Sequence, residues 1–458
     1  MSLPAYPAYK DSGVEWLGVV PDHWAVTLLK RGYEVVLGKM LQPEARRDDD
    51  EFLPYLRAAN IQLSGVDTVD VKRMWFGAEE KKSLLLRRGD LLVSEGGDVG
   101  RSAIWDFDEE ECYFQNSINR IRSIGGNNTR FLYFWMVAIK KNGYVDVLCN
   151  KSTIAHFTAE KVAAVPLPIP TKSEQAQIAR FLDHETARID ALIKEQKRLI
   201  GLLKEKRQAV ISQAVIKGLD PTVPMKDSGV EWLGEVPAHW EVNALNKLTV
   251  KITNGYVGPT RDILVESGVP YVQATHIKRG IVNFDDAYFV TPEWSVKMRK
   301  SILQEGDVLI VQTGAGTGDV GVVSSREVGY NCHALIILQT EKNMLSGVFL
   351  GQVLQSRFGQ SVLYSIRTGG MHPHLNCGEV KFVKIPVPPL SEQEEISDFV
   401  RIFSEQAETL IIEAGATMDL LQERRSALIS AAVTGKIDVR GWQPPTAAPS
   451  PELAKEAM

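Results

Sequence analysis

Cysteine is scarce, and the four present (Cys112, Cys149, Cys332 and Cys377) stand far apart with no CxxC pair. That spacing argues against a disulfide scaffold and against a zinc site, and it leaves a reducing cytoplasm as the expected compartment. No apolar run reaches the ~18–20 residues that span a bilayer. The opening MSLPAYPAYKD has neither a basic region nor an apolar core, so neither membrane association nor a signal peptide is expected. Positive charge is not in surplus either: 52 Lys and Arg against 57 Asp and Glu give a net charge of −5. This balance counts against nucleic-acid binding by the chain as a whole. It does not exclude a local basic face, because attraction to phosphate decays within a Debye length of ~10 Å. The acidic clusters Asp48–Glu51 and Asp108–Glu111 read as solvated loop tips.

Catalytic signatures are also missing. Adenine methylation motifs of the form [DNS]-P-P-[YFW] are absent, since only Gln443-Pro-Pro-Thr446 and Val387-Pro-Pro-Leu390 come near. No G-x-x-x-x-G-K-[ST] phosphate loop occurs, because Gly38-Lys39 and Gly435-Lys436 lack the upstream glycine. Asp90 and Glu95 resemble a nuclease pair, but Gln312 or Thr313 stands near the Glu95 position in a second copy of the segment.

That second copy is part of an internal duplication, which decides the architecture. Residues 10–24 read KDSGVEWLGVVPDHW and residues 226–240 read KDSGVEWLGEVPAHW, with thirteen of fifteen positions identical at an offset of 216. PYLRAANI (54–61) parallels PYVQATHI (270–277), and GDLLVSEGG (89–97) parallels GDVLIVQTG (306–314). Thr153-Ile-Ala-His156 parallels Met371-His-Pro-His374. Pro-x-x-Ser-Glu-Gln occurs at 170–175 and 388–393, and EKRQAVISQAV (205–215) parallels ERRSALISAAV (423–433).

A chain of 458 residues, 44% apolar and 24% charged, exceeds what one core supports and has the composition of a folded protein. Each copy divides in two. The first part carries short β-type runs broken by Gly, Pro and Asn: Tyr55–Ile61, Asp90–Val93, Ser102–Trp105 and Ser117–Ile121, then Tyr271–Ile277, Val308–Gln312, Val320–Val323 and Leu335–Leu338. Arg130–Lys141 and Leu345–Val362 have helical length. The second part is a long helix entered at Ser173-Glu-Gln or Ser391-Glu-Gln, with the serines as N-caps. Ile178, Leu182, Ile189, Leu192, Leu199, Leu203 and Val210 mark a heptad seam on the first. Ile396, Val400, Phe403, Leu410, Leu421 and Leu428 mark it on the second. Gly218 and Gly435 stop these helices. The expected class is α+β: two pseudo-two-fold-related, mostly-β domains separated by two long antiparallel coiled-coil helices. The boundaries are a lead-in at 1–24, domain 1 at 25–170, a spacer helix at 171–220, domain 2 at 221–389, a second spacer helix at 390–440, and a disordered Pro/Ala-rich tail at 441–458.

Gly316-Thr-Gly-Asp-Val-Gly321 matches GxGxxG, but VGVVSS follows and reads as a strand, so the segment is a β-turn rather than a dinucleotide site. Its glycines, with Gly96 and Gly314, allow backbone N–H groups to approach a phosphate. His372-Pro-His374 lacks the companions of a metal site. Trp16, Trp24, Trp232 and Trp240 lie in segments common to both copies, so they are expected to pack against the helices rather than distinguish two targets.

The combined pattern of lead-in, Gly-rich strand turn and Pro-x-x-Ser-Glu-Gln helix, over about residues 9–440, resembles the specificity subunit of type I restriction–modification systems. The resemblance implies two target-recognition domains, each reading half of a bipartite double-stranded DNA sequence. It implies helices that set the gap and dock two methyltransferase subunits, with restriction subunits joining them. S-adenosylmethionine, ATP and Mg²⁺ would belong to those partners, with no catalytic residue or cofactor in this chain. Two differing domains imply an asymmetric target. Base readers are expected where the copies differ: Arg57, Asn60, Ser94, Glu95, Arg101, Gln115, Asn116, Arg120 and Lys151 in the first, and Gln273, His276, Lys278, Gln312, Thr313, Asn331, His333 and Arg367 in the second. His156, His372 and His374 are further candidates, with a buried structural histidine as the alternative. Two other readings stay open at this point: a coiled-coil scaffold that does not read DNA, and a self-contained methyltransferase or nuclease.

Overall fold

The computed structural model describes residues 3–108, 111–149, 156–278, 280–284, 288–369 and 373–445. It divides into two units. The first comprises Met1–Gln196 with Ala416–Met458, and the second Lys197–Gly415.

In the first unit three of the short β-type runs, joined by Tyr33–Leu37, form a four-stranded antiparallel sheet, in the order Ser102–Ile104, Leu91–Ser94, Ile118–Ser123, Tyr33–Leu37. A three-stranded sheet of Tyr113–Phe114, Glu51–Leu56 and Lys72–Phe76 stands beside it. Helix Thr129–Lys141 forms because Asn128 caps it, its side chain accepting from Phe131 N, and because seven apolar or aromatic side chains share its buried face. Those side chains enter one core with Ile178, Phe181 and Leu182 of the first long helix (Lys172–Lys217) and Ile429, Ala432 and Val433 of the second (Leu390–Val433). The two helix segments in this unit run antiparallel. Gln177 donates to Val439 O just past the second helix, while Asp190, further along the first, pairs with Arg425.

The second unit repeats this plan. Its main sheet has six strands, in the order Thr249–Asn254, Leu335–Thr340, Val308–Val311, Val320–Val322, Gly280–Val282, Ile277–Lys278. Leu264–Val265, Phe289–Val290, Val269–Val272 and Asn331–Cys332 make the second sheet. Here Ala214 and Val215 of the first long helix share a core with Ile396 and Val400 of the second.

The structure corrects three local expectations. Leu345–Val362 is not one helix but two, Gly347–Gln355 and Arg357–Ser365, because buried Ser356 takes an extended conformation and caps the second, accepting from Gly359 N. Ser173 and Ser391 lie inside the helices instead of capping them. The first helix is capped two residues earlier by Thr171, whose hydroxyl accepts from Glu174 N. The seam is closed only near the helix ends. Ile178, Leu182, Ile189, Ile396 and Val400 are buried and Leu203, Val210, Phe403, Leu421 and Leu428 half-buried, but Leu192, Leu199 and Leu410 are 45%, 43% and 49% exposed. In the middle stretch the buried side chains of the second helix are the small Ala407 and Ala414.

The shifted serines leave Glu174 and Gln175 to do the anchoring. Glu174 is buried and accepts from Tyr6 Oη (2.6 Å) and Trp24 Nε1 (3.1 Å), with His23 Nε2 at 2.9 Å. Burial and the bond to Glu174 push the Tyr6 hydroxyl far above the ordinary tyrosine range. Gln175 accepts from Asn128 N and donates to Pro170 O, fastening the long helix to the start of helix Thr129–Lys141. The second unit copies both devices. Glu392 accepts from Trp240 Nε1 (2.9 Å) and meets His239 Nε2 (2.7 Å), while Gln393 accepts from Ser346 N. Trp24 and Trp240 thus meet the long helices as expected. Trp16 instead stacks on Tyr144 with ring centroids 4.1 Å apart, and Trp232 is exposed. Gly218 and Gly435 hold positive φ after the helices, and a Cβ on Gly435 would lie 2.3 Å from Pro21.

Candidate nucleic-acid interface

In the first unit, the loop after strand Leu91–Ser94 is fixed from both sides. Glu95 N donates to Ser117 O (2.9 Å), and Phe157 N donates to Glu95 O (2.9 Å). Ser117 also holds a second segment, because its hydroxyl accepts from Ala58 N (3.1 Å). Arg101 closes the group: its carbonyl accepts from Ser94 N, and its guanidinium lies 3.5 Å from both Ala58 O and Asp98. Arg57, Glu95, Arg101 and Gln115 are therefore brought together around Ser117, a residue that sequence reasoning passed over. Arg57 pairs with Asp70, and exposed His156 places Nδ1 3.9 Å from the Glu95 carboxylate. Burial raises the Glu95 pKa, and His156 only partly offsets that.

The same scaffold recurs in the second unit with different side chains. Leu375 N donates to Gln312 O as Phe157 N does to Glu95 O. His333 N donates to Val272 O as Gln115 N does to Leu56 O. The carbonyl that receives Val311 N belongs to Asp319, as the one receiving Ser94 N belongs to Arg101. Matched positions thus carry Glu95 and Gln312, Gln115 and His333, Arg101 and Asp319, Arg57 and Gln273. The loop in the second unit is one residue longer, so ungapped comparison of the copies missed Asp319. Thr313 bridges to His374, whose Nε2 lies 3.1 Å from Thr368 Oγ1. The Arg367 guanidinium donates to Thr317 O and lies 5.0 Å from the Tyr364 ring. Burial lowers the His333 pKa, and the next residue, Ala334, holds φ 42°. The expected turn at 316–319 is followed by strand Val320–Val322 and not by a helix.

Five candidate readers are corrected by burial. Asn60 and His276, 2% and 3% exposed, close equivalent turns by accepting from Arg57 N and Gln273 N. Asn331 is locked between Ser301 and Ser295. Arg120 reaches Glu34 and Ser83 O from inside the unit, and Ser94 is enclosed in its strand. Thr313, Gly314 and Lys278 are exposed, and Gly96 and Asn116 are half-buried. Lys151 and His372 lie outside the described residues. Among the described residues, no group of three or more His, Cys, Asp or Glu could hold a metal ion, and no helix is long and apolar enough to cross a membrane.

Comparison with known proteins matches residues 23–200 and 237–414 to the family described as the type I restriction modification DNA specificity domain. The chain is similar to the type I restriction enzyme MjaVIII specificity subunit of Methanocaldococcus jannaschii, 21% identical over 433 residues and covering 92% of this chain and 94% of that protein. It is similar to the EcoBI specificity subunit of Escherichia coli, 23% identical over 445 residues, covering 94% and 90%. Among solved structures, one titled for the complex assembly and conformational transition of the type I R-M system gives a TM-score of 0.70 at 15% identity, covering 91% of this chain and 99% of that one. The crystal structure of the HsdS subunit from Thermoanaerobacter tengcongensis gives 0.52 at 16% identity, covering 91% and 98%.

Proposed function

The chain belongs to the type I restriction–modification DNA specificity family and is a specificity subunit; from that premise we propose that each unit reads one half of a bipartite, asymmetric double-stranded DNA target through the loop that follows Ser94 or Val311. The observation that carries this reading is the matched scaffold with exchanged side chains. The same backbone hydrogen bonds present Glu95, Arg101 and Gln115 in one unit, and Gln312, Asp319 and His333 in the other. A structure built twice with different polar side chains at the same places suits one task performed on two different base sequences.

The long helices set the gap between half-sites and dock two methyltransferase subunits, a role supported by the exposed Leu192, Leu199 and Leu410 midway along them. Restriction subunits complete the assembly. The chain itself is non-catalytic: S-adenosylmethionine serves the methyltransferases, and ATP and Mg²⁺ serve the restriction subunit. Co-expression with the methyltransferase and mapping of methylated adenines across a genome tests the proposal. A gapped two-part motif that disappears when this chain is deleted, and changes in one half when residues 25–165 are exchanged for those of a relative, is the expected result. An unchanged map after deletion overturns it.

A further inference from the structure

We infer that Glu95 accepts the exocyclic amine of a cytosine in the half-site read by the first unit, with Arg57 and Arg101 placed for the guanine of the same pair. The inference rests on the proposal that this unit reads DNA through the loop after Ser94.

Three unsatisfied polar atoms stand on the segments tied together at Ser117 and Ala58. Glu95 Oε2, Arg57 Nε and Arg101 Nε are all buried and have no hydrogen-bond partner among the described residues. The Glu95 side chain is only 15% exposed. A polar atom withdrawn from water without a partner costs about 1–3 kcal/mol, so three around one serine need a reason. The backbone bonds through Ser117 hold the segments bearing these groups in fixed relation. One anionic acceptor and two cationic donors thus stand on neighbouring segments of the same loop group.

In the major groove a C·G pair presents the complement: a cytosine amine that donates, and guanine N7 and O6 that accept. An A·T pair also offers an amine, but it sets the thymine methyl against an arginine. A carboxylate facing DNA is repelled by phosphates and by base carbonyls, so it favours one edge by rejecting the others. The second unit has amides at two of these places, Gln312 and Gln273, and Asp319 at the third. The requirement therefore falls on one half of the target.

The test uses the assembled methyltransferase complex. Exchange of residues 25–165 first shows which half of the motif belongs to the first unit. That half is expected to contain a C·G pair at which Glu95→Gln and Glu95→Ala reduce a roughly 10–100-fold preference to a few-fold, while the other half and the gap length stay as they were. Wild-type complex is also expected to bind about tenfold or more weakly to duplex carrying, at that position, a cytosine analogue without the amine. A half-site without a C·G pair overturns the inference, as do unaltered maps from both variants when the exchange still changes the half. If the variants fail to assemble, equal binding of wild-type complex to the amine-less analogue at every cytosine of that half overturns it. A methylation map indifferent to deletion of the chain defeats instead the broader DNA-reading proposal.

Discussion

Arg425 grips Asp190 with two nitrogens, Nε at 2.9 Å and Nη2 at 3.2 Å from separate carboxylate oxygens. The second unit has the equivalent pair with the helices exchanged, a contact from Arg207 Nη1 to Glu408 at 3.0 Å. Asp190 is 52% exposed, so this pair registers the helices more than it stabilises them. Arg425→Asp is expected to lower stability by about 0.5–1 kcal/mol, and Asp190→Arg combined with it to recover most of the loss. A double-mutant cycle by urea unfolding measures the coupling, and a cycle that shows none removes the pair from the account of helix register.

The anchoring carboxylates differ in burial, and their removal is expected to differ accordingly. Glu174→Ala strands Tyr6 Oη and Trp24 Nε1 inside the first unit, a loss on the order of 2–4 kcal/mol. Glu392 is 34% exposed and serves one buried indole, so Glu392→Ala is expected to cost about 1 kcal/mol. Chemical denaturation of the two variants, followed by tryptophan fluorescence, ranks them. Equal losses contradict the assignment of burial as the deciding factor.

Gly435 combines a left-handed backbone with a Cβ position already filled by Pro21 and Trp24. Gly435→Ala is expected to destabilise the first unit by about 2 kcal/mol or more, beyond the ~1–2 kcal/mol of the conformation alone. Gly18→Ala, with positive φ but open space, shows the conformational part by itself. The difference between their melting temperatures isolates the steric part.

Glu95 yields a pH prediction. Its pKa is raised by burial, so the folded state holds the proton more tightly than the unfolded state does. The associated stability is fully present below the unfolded-state pKa of about 4.3 and is lost as pH rises through the folded value. At neutral pH the ionised carboxylate is therefore a burden, and Glu95→Gln is expected to raise the melting temperature by roughly 1–3 °C. That gain should shrink towards zero below pH about 4. A gain independent of pH would show that the effect is not electrostatic.

The duplication, the long helices and most strands of the main sheets were legible in the sequence, because each leaves a local pattern: identical segments, a heptad, a short β-type run bounded by turn residues. What escaped depended on partners far along the chain. Nothing near Glu174 marks it as the acceptor for Trp24, 150 positions away. Asn60 and His276 looked like readers because both are polar and differ between the copies. They differ because an amide and an imidazole can each accept the same backbone N–H. The break at Ser356 was hidden because its neighbours keep a helical apolar spacing on both sides. For the candidate interface, the differing loops pointed to Glu95 and Gln312, but only the fold revealed Ser117 as the residue that gathers the group.

The first unit draws on both ends of the chain. Asp438 N donates to Pro4 O, Tyr9 Oη donates to Gly435 O, and Trp442 packs against Phe181. The second unit is contained within Lys197–Gly415. Ribosomal synthesis therefore supplies the complete second unit before it supplies the complete first one. The leading domain must wait, with the underside of Trp24 and the Ile178 face of its helix uncovered, until residues 416–442 have left the exit tunnel. In the nascent protein the order of completion is the reverse of the order in sequence, and the interval between the two is when the first unit is most exposed to proteases and chaperones.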